Sequence, residues 1–316
     1  MYLKSSLIFT KRQIQYTEAM TNPPIFGRIL FLLAKVLGLL PLAILRALGS
    51  LFGWLAYHSN SRETYVARCN MHLIYPNDTA ESKEQKVRGI MRSSGQTLFE
   101  TLAIWIRPRP SALKLIGTIH GIENLQAALA KGKGVLIAAP HYGNWELLLK
   151  FLAERAPFSL VYRVPKQAFG DYFLHLARGG PNVSLVPAEA TAMRPLLRAL
   201  QKGEAVGITP DQQPKMGGGE FVPFYGIPAL TLSLIAKLSK RSGAPVVFAY
   251  TERTANGFDL YFEAETTELQ DDDLLKALSI MNQHVQRIAE RDFRQYQWTY
   301  KRFSIQADPS EKKPYQ

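Results

Sequence analysis

Two residues whose side chains perform acid–base chemistry, His141 and Glu146, lie five positions apart in the segment APHYGNWE, residues 139–146. An apolar stretch that predicts a strand precedes the segment and an apolar stretch that predicts a helix follows it. Catalytic groups often lie at such a carboxyl edge of a sheet. On one continuous helix the two side chains would point about 140° apart. If Gly143 and Asn144 bend the chain, Glu146 falls in the first helical turn and its carboxylate accepts a hydrogen bond from the imidazole.

This pattern predicts that His141 is a general base and that Glu146 orients it. No nucleophilic side chain is needed if the substrate supplies a hydroxyl, because the imidazole takes that hydroxyl's proton while the carboxylate stabilises the imidazolium. The carbonyl that is attacked is then expected to be a thioester. A second pair with the same interval, His58 and Glu63, has no strand before it and no glycine turn, so we interpret that pair as structural.

The residues around the motif predict an α/β fold. Downstream of residue 134, apolar strands alternate with helices, and the predicted elements are strand Gly134 to Ala139, helix Glu146 to Arg155, strand Ser159 to Arg163, helix Phe169 to Arg178, strand Val183 to Val186, helix Met193 to Lys202, strand Ala205 to Thr209, helix Leu230 to Arg241 and strand Pro245 to Thr251. Asn256-Gly257 predicts a hairpin that returns through Phe258 to Glu263. We predict a single domain with a mostly parallel or mixed central sheet flanked by helices.

The N-terminal region has a different composition. Pro24 to Tyr57 is strongly apolar, with Arg28, Lys35 and Arg46 as its only charges, but its longest charge-free runs are shorter than the roughly 20 residues of a bilayer span. This composition predicts a membrane anchor at residues 24–58, either a single span or a helix lying in one leaflet, with a buried core helix as the alternative. We divide the remainder into a possible non-native or disordered extension at 1–19, a catalytic domain at 59–306 and a disordered tail at 307–316.

Charge and cysteine content restrict the class of protein. The 38 lysines and arginines exceed the 26 acidic residues by 12, which favours phosphates, anionic membranes or acidic proteins as partners. The single cysteine, Cys69, excludes an intramolecular disulfide and indicates folding in a reducing compartment. The sequence contains no GxSxG, P-loop or CxxC motif, which argues against a serine hydrolase, a nucleotide-dependent enzyme and a zinc site, and we predict no metal.

The segment APHYGNWE resembles the H-x4-D/E block of the glycerolipid acyltransferases, in the HxGNWE form of the bacterial lipid A secondary acyltransferases. Further blocks of that family agree in order over roughly residues 25–303: Tyr162-Arg163, Arg178, ITPDQQP at 208–214, FVPFYG at 221–226 and YQWTYKRF at 296–303. The resemblance implies transfer of an acyl chain from acyl-acyl carrier protein to a lipid A precursor, without a cofactor. It also implies an inner-membrane phospholipid environment with the active site on the cytoplasmic face.

Five further residues are predicted to bind substrate. Arg163 and Arg178 follow successive elements on the side where His141 opens, so they are expected to clamp lipid phosphate, with surface salt bridges as the alternative. Asp211 ends the strand AVGITP and is expected to position an arginine or the acceptor sugar, with a structural cap as the alternative. Gly143 and Asn144 complete the set through their place in the motif.

Two other functions remain open. The same block occurs in acyltransferases that act on other glycolipids or on lysophospholipids, so the acceptor is not fixed. A basic membrane-binding protein without catalysis is the second alternative. Nucleic acid is not predicted as a partner, because the basic residues are dispersed and no nucleic-acid-binding motif is present.

Overall fold

The computed structural model describes residues 25–165, 168–308, 310 and 313–316; the possible extension at 1–19 and Pro24 lie outside this range. The helices of the described residues are α1 Ile25–Gly38, α2 Leu42–His58, α3 Arg62–Ile74, α4 Ala80–Ile106, α5 Arg109–Leu113, α6 Ile122–Ala130, α7 Trp145–Leu152, α8 Ala168–Arg178, α9 Met193–Gln201, α10 Leu234–Ser242 and α11 Leu274–Arg291. The strands are β1 Ile116–His120, β2 Val135–Ala138, β3 Phe158–Tyr162, β4 Val183–Pro187, β5 Ala205–Ile208, β6 Gly219–Phe224, β7 Ile227–Leu232, β8 Val246–Arg253 and β9 Phe258–Phe262.

Within the described residues, seven strands form one sheet in the order β1-β9-β8-β2-β5-β3-β4. The five strands from β8 to β4 are mutually parallel, whereas β9 is antiparallel to β8 and β1 is parallel to β9. The four residues of β2 and of β5 are all buried, as expected for central strands covered on both faces. The carboxyl ends of β2 and β5 therefore open side by side at one edge of the sheet.

The predicted single α/β domain with a mostly parallel sheet is confirmed, and so is the hairpin at Asn256-Gly257, which joins β8 and β9. The predicted helix from Leu230 to Arg241 begins too early. Residues Leu230 to Leu232 belong to β7, which pairs with β6 in a separate two-stranded sheet. The helical pattern was extended too far because the apolar residues of β7 continue directly into those of α10.

The N-terminal helices pack against the domain. α2 contacts α4 along its length, and the approach is close because glycines lie on both sides: a Cβ at Gly49 or Gly53 would collide with the α4 backbone, and one at Gly95 would collide with α2. Within the described residues no single helix is long and apolar enough to span a bilayer; Leu32–Gly38 and α2 meet those criteria only as a pair, bent by 119° where they join.

A buried charge network joins α2 to the sheet. Glu100 of α4 is fully buried, and its Oε1 accepts hydrogen bonds from Arg46 Nε at 2.6 Å and from Arg253 Nε at 2.8 Å. The Arg46 guanidinium also donates to the carbonyls of Thr254, Ala255 and Gly257 in the β8–β9 turn, at 2.7–2.9 Å. Arg46 is therefore part of the folded domain, although its place in the sequence fitted a membrane anchor.

The opposite face of α1 and α2 is apolar and exposed. We call this surface the apolar face; its large side chains are Leu32, Leu33, Val36, Leu39, Ile44, Leu51, Phe52, Trp54 and Leu55, with Leu98 of α4. Large apolar side chains that are exposed together on neighbouring helices indicate an interaction site. The segment 25–58 thus has one face inside the fold and one face outside it, and the predicted anchor stays a prediction.

At the other end of the chain, residues 307–316 were expected to be a disordered tail. The structure instead places Tyr315 in a buried position, where its hydroxyl donates to Asn70 Oδ1 at 2.6 Å and accepts from the Phe303 amide at 3.2 Å. A buried aromatic ring with a satisfied hydroxyl is a stabilising combination. The end of the tail is therefore attached to α3.

Candidate active site

The adjacency of β2 and β5 brings His141 next to Asp211. β2 ends at Ala138 opposite Ile208 of β5, and the Ala139 amide continues the ladder by donating to the Ile208 carbonyl at 3.0 Å. His141 and Asp211 each follow three residues after their strand. The Asp211 carboxylate accepts two hydrogen bonds from His141, one from the backbone amide and one from ring Nδ1, both at 2.8 Å. One carboxylate thus fixes both the main chain and the ring of the histidine.

Asp211 is ionised in this setting. Burial by itself raises the pKa of the carboxyl group, but the charge and hydrogen bonds of His141 outweigh burial and hold the pKa of Asp211 below its usual value. An ionised carboxylate only accepts hydrogen bonds, so ring Nδ1 must carry a proton. Neutral His141 therefore presents the lone pair of Nε2, the atom that a general base uses.

The side of the ring that bears Nε2 is polar. The Gln212 side-chain amide lies 3.2 Å from Nε2 and also donates to Gln297 Oε1 at 3.2 Å. With Nδ1 protonated, Nε2 accepts this bond from Gln212. The His141 side chain is about 10% exposed. A substrate hydroxyl that reaches Nε2 must displace the Gln212 amide.

Glu146 does not contact His141 as predicted. Its carboxylate is nearly buried and pairs with Arg178 in a bidentate arrangement, with Nη2–Oε1 at 2.6 Å and Nε–Oε2 at 3.1 Å. The Trp145 ring stands between the two pairs: the Arg178 guanidinium lies 4.6 Å from its centroid, and the His141 ring packs edge-on to it at 5.2 Å. The predicted pair of His141 and Glu146 is therefore wrong: His141 pairs with Asp211, and Glu146 pairs with Arg178.

Gly143 and Asn144 have structural positions. Gly143 adopts φ +57°, and a Cβ there would collide with the Thr251 carbonyl. Its amide donates to the Gln295 carbonyl at 3.0 Å. Asn144 is fully buried, and its amide group makes long contacts of 3.3–3.5 Å with Thr97 and Thr101 of α4. Both residues hold the turn that carries His141, and their predicted contact with substrate stays a prediction.

The two predicted phosphate-binding arginines differ in exposure. The Arg178 side chain is about 11% exposed and is neutralised by Glu146. Arg163 is exposed, at the end of β3. Burial raises the pKa of Tyr300, and the charge of Arg163 offsets part of that rise. Arg163 therefore lies near Tyr300, whose hydroxyl is bonded to Gln213 in the polar loop that follows β5. Of the two, Arg163 is the more accessible to an anionic substrate.

The prediction missed the C-terminal segment that supports this loop. The Gln297 amide donates to the His141 carbonyl at 3.0 Å, the Tyr300 hydroxyl accepts from the Gln213 amide at 2.9 Å, and Ser304 donates to Gln213 Oε1 at 2.6 Å. Segment 296–304 therefore braces the loops that carry both members of the pair. Its aromatic and polar composition was visible in YQWTYKRF, but a composition does not identify which loop it will contact.

Within the described residues, no group of three or more histidine, cysteine, aspartate or glutamate side chains is arranged to hold a metal ion. The absence of a metal or cofactor stays a prediction.

Comparison with known proteins gives a consistent result. The family model described as bacterial lipid A biosynthesis acyltransferase matches residues 20–304. The chain is 28% identical over 267 residues to a lipid A biosynthesis palmitoleoyltransferase of Escherichia coli (strain K12), covering 84% of this chain and 86% of that protein. It is 25% identical over 272 residues to a lipid A biosynthesis lauroyltransferase of the same strain, covering 85% and 88%. A phosphatidylinositol mannoside acyltransferase of Mycobacterium tuberculosis (strain ATCC 25618 / H37Rv) is 30% identical over 164 residues, covering 49% and 51%.

Proposed function

Because the chain belongs to the bacterial lipid A biosynthesis acyltransferases, we propose that it transfers a fatty acyl chain from acyl-acyl carrier protein to a hydroxyl of a lipid A precursor, with His141 as the general base. The observation that carries this proposal is the His141–Asp211 pair at the carboxyl edge of β2 and β5. Among the hydrogen bonds of the described residues, none joins a serine, threonine or cysteine side chain to His141. The pair thus suits a hydroxyl that arrives with the substrate.

The chemistry follows from the ring's tautomer. The acceptor hydroxyl displaces Gln212 and gives its proton to Nε2 while its oxygen attacks the thioester carbonyl, forming a new C–O bond. Asp211 stabilises the imidazolium because its negative charge is already in place and is shielded from water. When the tetrahedral intermediate collapses, the C–S bond breaks and the imidazolium returns the proton to the leaving thiolate. The products are the acyl ester and the free thiol of the carrier.

Glu146 acts on the site through Arg178 in this proposal. The bidentate ion pair fixes the guanidinium over the Trp145 ring, and Trp145 packs against His141. The contact with the indole ring and the two-point carboxylate contact leave the guanidinium little freedom. Through Trp145 the pair supports the His141 ring, and because Arg178 donates through Nε and Nη2 among the described residues, its Nη1 hydrogens are available to an anionic group of the substrate.

The proposed function is tested by comparing lipid A from cells with and without the gene by mass spectrometry, and by assaying the purified enzyme with acyl-acyl carrier protein. We expect lipid A from the gene-containing cells to be heavier by one acyl group, and the purified enzyme to add the same group in vitro. Unchanged lipid A together with an acyl gain on another glycolipid or on a lysophospholipid would select that alternative acceptor. No transfer to any lipid would contradict the proposal.

The apolar face fits attachment to the inner membrane with the active site on the cytoplasmic side. Burying a large apolar side chain in the hydrocarbon contributes about 1.5–3 kcal/mol, so several such side chains outweigh surface charge contacts, which are worth about 0–1 kcal/mol each. Arg46 and Glu100 hold α2 to the domain from the other side. The surface is therefore suited to lie in one leaflet as part of the folded enzyme.

We expect Leu51→Asp with Leu55→Asp to move the enzyme from the membrane fraction to the soluble fraction, because both side chains are about half exposed on the apolar face. The wild-type enzyme should stay with membranes in high salt. Leu275→Asp is the matched control, since Leu275 is equally exposed on α11. Fractionation measures both outcomes, and a double variant that remains fully membrane-bound would exclude the apolar face as the attachment surface.

A further inference from the structure

Two neighbouring helices, α9 and α10, carry basic residues and no acidic ones. α9 contains Arg194 and Arg198, and α10 contains Lys237, Lys240 and Arg241. The helices pack against each other, and a groove of about 780 Å³ is lined by three arginines and four other residues: Arg194, Arg198, Arg241, Thr191, Met193, Pro195 and Leu197. We call this surface, with its three arginines, the cationic face.

The arginines of the cationic face lack the partners that other surface cations have. Arg68, Arg291 and Arg294 each lie 2.6–2.7 Å from a carboxylate oxygen. In the part of the chain that the structure describes, no carboxylate lies within 4.0 Å of the three arginines in the groove, and on α10 only Lys240 has one, in Asp272. The positive charge of this surface is therefore left for a partner to neutralise.

The positions of Arg194 and Arg198 destabilise α9, the helix that bears them. Arg194 lies in the first turn of α9, where no acidic residue is present and where the helix dipole disfavours a cation. Arg194 and Arg198 are four residues apart, so they lie on the same side of the helix and repel each other. Residues that break local rules without compensation in the fold are often functional.

The cationic face is connected to the active-site edge. β4 ends at Pro187 on the edge where β2 and β5 end, and residues 190–192 lead from there into α9. α9 packs beside β5, the strand that leads to Asp211. The first turn of α9, with Arg194, therefore lies on the side of the sheet where His141 is found, whereas α10 ends at Ser242, close to the start of β8.

The chemistry of the surface favours a protein over a bilayer. None of the large apolar side chains that are exposed in the described residues lies on α9 or α10, whereas α2 has five of them. A surface without large exposed apolar side chains has little to insert into hydrocarbon, while clustered arginines complement an acidic protein surface and speed its association.

We propose that the cationic face is the docking surface for the acidic carrier protein that delivers the acyl thioester. This inference rests on the proposed function, in which the donor is acyl-acyl carrier protein. Docking at Arg194, Arg198 and Arg241 holds the carrier on α9 and α10, and its flexible prosthetic arm extends past the first turn of α9 to bring the thioester to His141. Acceptor binding and chemistry use other residues.

The test compares two donors and two sets of substitutions. The docking variant combines Arg194→Glu, Arg198→Glu and Arg241→Glu, and the matched control combines Arg62→Glu, Lys114→Glu and Arg155→Glu, which are exposed cations on other elements. Each variant is assayed with acyl-acyl carrier protein and with acyl-pantetheine, a neutral thioester without the protein. Thermal melting checks folding; the docking variant should melt close to wild type, because the i,i+4 pair stays like-charged while Arg194→Glu places an acidic residue in the first turn of α9, where the helix dipole favours it.

We expect the docking variant to lose about tenfold or more in kcat/KM with acyl-acyl carrier protein, together with much of its dependence on salt, and to be unchanged with acyl-pantetheine. The control variant should resemble wild type with both donors. An unchanged rate with the carrier donor, equal losses with both donors, or a loss confined to binding of anionic vesicles would each overturn the docking surface. A wild-type enzyme that does not prefer the carrier donor to acyl-pantetheine would instead contradict the donor assigned under the proposed function.

Discussion

Replacing His141 with alanine is expected to lower kcat for acyl transfer by about 10²–10⁴, the usual contribution of general acid–base catalysis. Asp211→Asn should cause most of the same loss. The single side-chain oxygen of asparagine cannot replace both carboxylate oxygens that accept from the His141 amide and from Nδ1. The acceptor KM should change little in either variant, since neither change removes a group that holds the acceptor's remote parts. Steady-state and single-turnover rates with acyl-acyl carrier protein measure both effects.

His58→Ala is the matched control for this prediction. His58 stands at the same interval from Glu63 as His141 does from Glu146, but it lies exposed at the end of α2 and its ring packs on Trp54 at 4.4 Å. Its removal should leave the rate unchanged. Wild-type activity in His141→Ala would end the proposed mechanism, and a loss in Asp211→Asn that appears only in KM would show that Asp211 binds substrate instead of orienting the base.

The second large effect concerns stability. Glu100→Ala is expected to lower the free energy of unfolding by about 3–5 kcal/mol, because it leaves the guanidinium groups of Arg46 and Arg253 buried without a counter-charge. Carbonyl and hydroxyl partners of both arginines remain, but they do not neutralise charge. The expected loss is a large part of the 5–15 kcal/mol that stabilises a typical protein, and thermal unfolding in detergent should show a fall in Tm on the order of 10 °C.

Asp272→Ala is the control for Glu100→Ala. Asp272 also pairs with a basic residue, Lys240, but the Asp272 side chain is almost completely exposed, so its removal should barely change the Tm. If the two variants melt alike, the network of Arg46, Glu100 and Arg253 does not hold α2 to the domain. That result would restore the interpretation of residues 24–58 as an anchor separate from the fold.

The sequence predicted the alternating strands and helices well because each strand is a short apolar run with a helix of clear periodicity after it. The order of the strands in the sheet, by contrast, cannot be predicted from such local patterns. β2 and β5 are separated along the chain by two strands and three helices, yet they pair directly. The partner of His141 was therefore accessible only from the topology, even though Asp211 had been selected as a site residue.

Glu146 was matched to His141 because the two lie in one motif and a turn can bring neighbours in sequence together. The structure shows why proximity in sequence was insufficient. Helix α7 begins at Trp145, and its first turn directs Glu146 toward Arg178 of α8. The indole ring of Trp145 lies between Arg178 and His141. Arg178 had been assigned to phosphate, so a carboxylate partner for it was not sought. An arginine and a glutamate far apart in sequence leave no local pattern.

The apolar N-terminal segment shows a similar limit. Composition separates apolar from polar segments, but it does not reveal that Gly49 and Gly53 make one face of α2 fit against α4, or that Arg46 reaches a buried carboxylate. One face of the segment is packed against α4, as in a domain core, and the other face exposes large apolar side chains, as expected of a membrane-binding surface. Only the packing distinguishes them.

The proposed mechanism requires that Asp211, and not Glu146, is the partner of the catalytic imidazole. Nitrogen NMR of the His141 ring in the wild-type enzyme, in Asp211→Asn and in Glu146→Gln tests it most directly, because the chemical shifts identify which ring nitrogen carries the proton. We predict that Nδ1 is protonated in the neutral ring of the wild type and of Glu146→Gln, and that the tautomer changes only in Asp211→Asn. A tautomer that changes in Glu146→Gln and not in Asp211→Asn would contradict the claim.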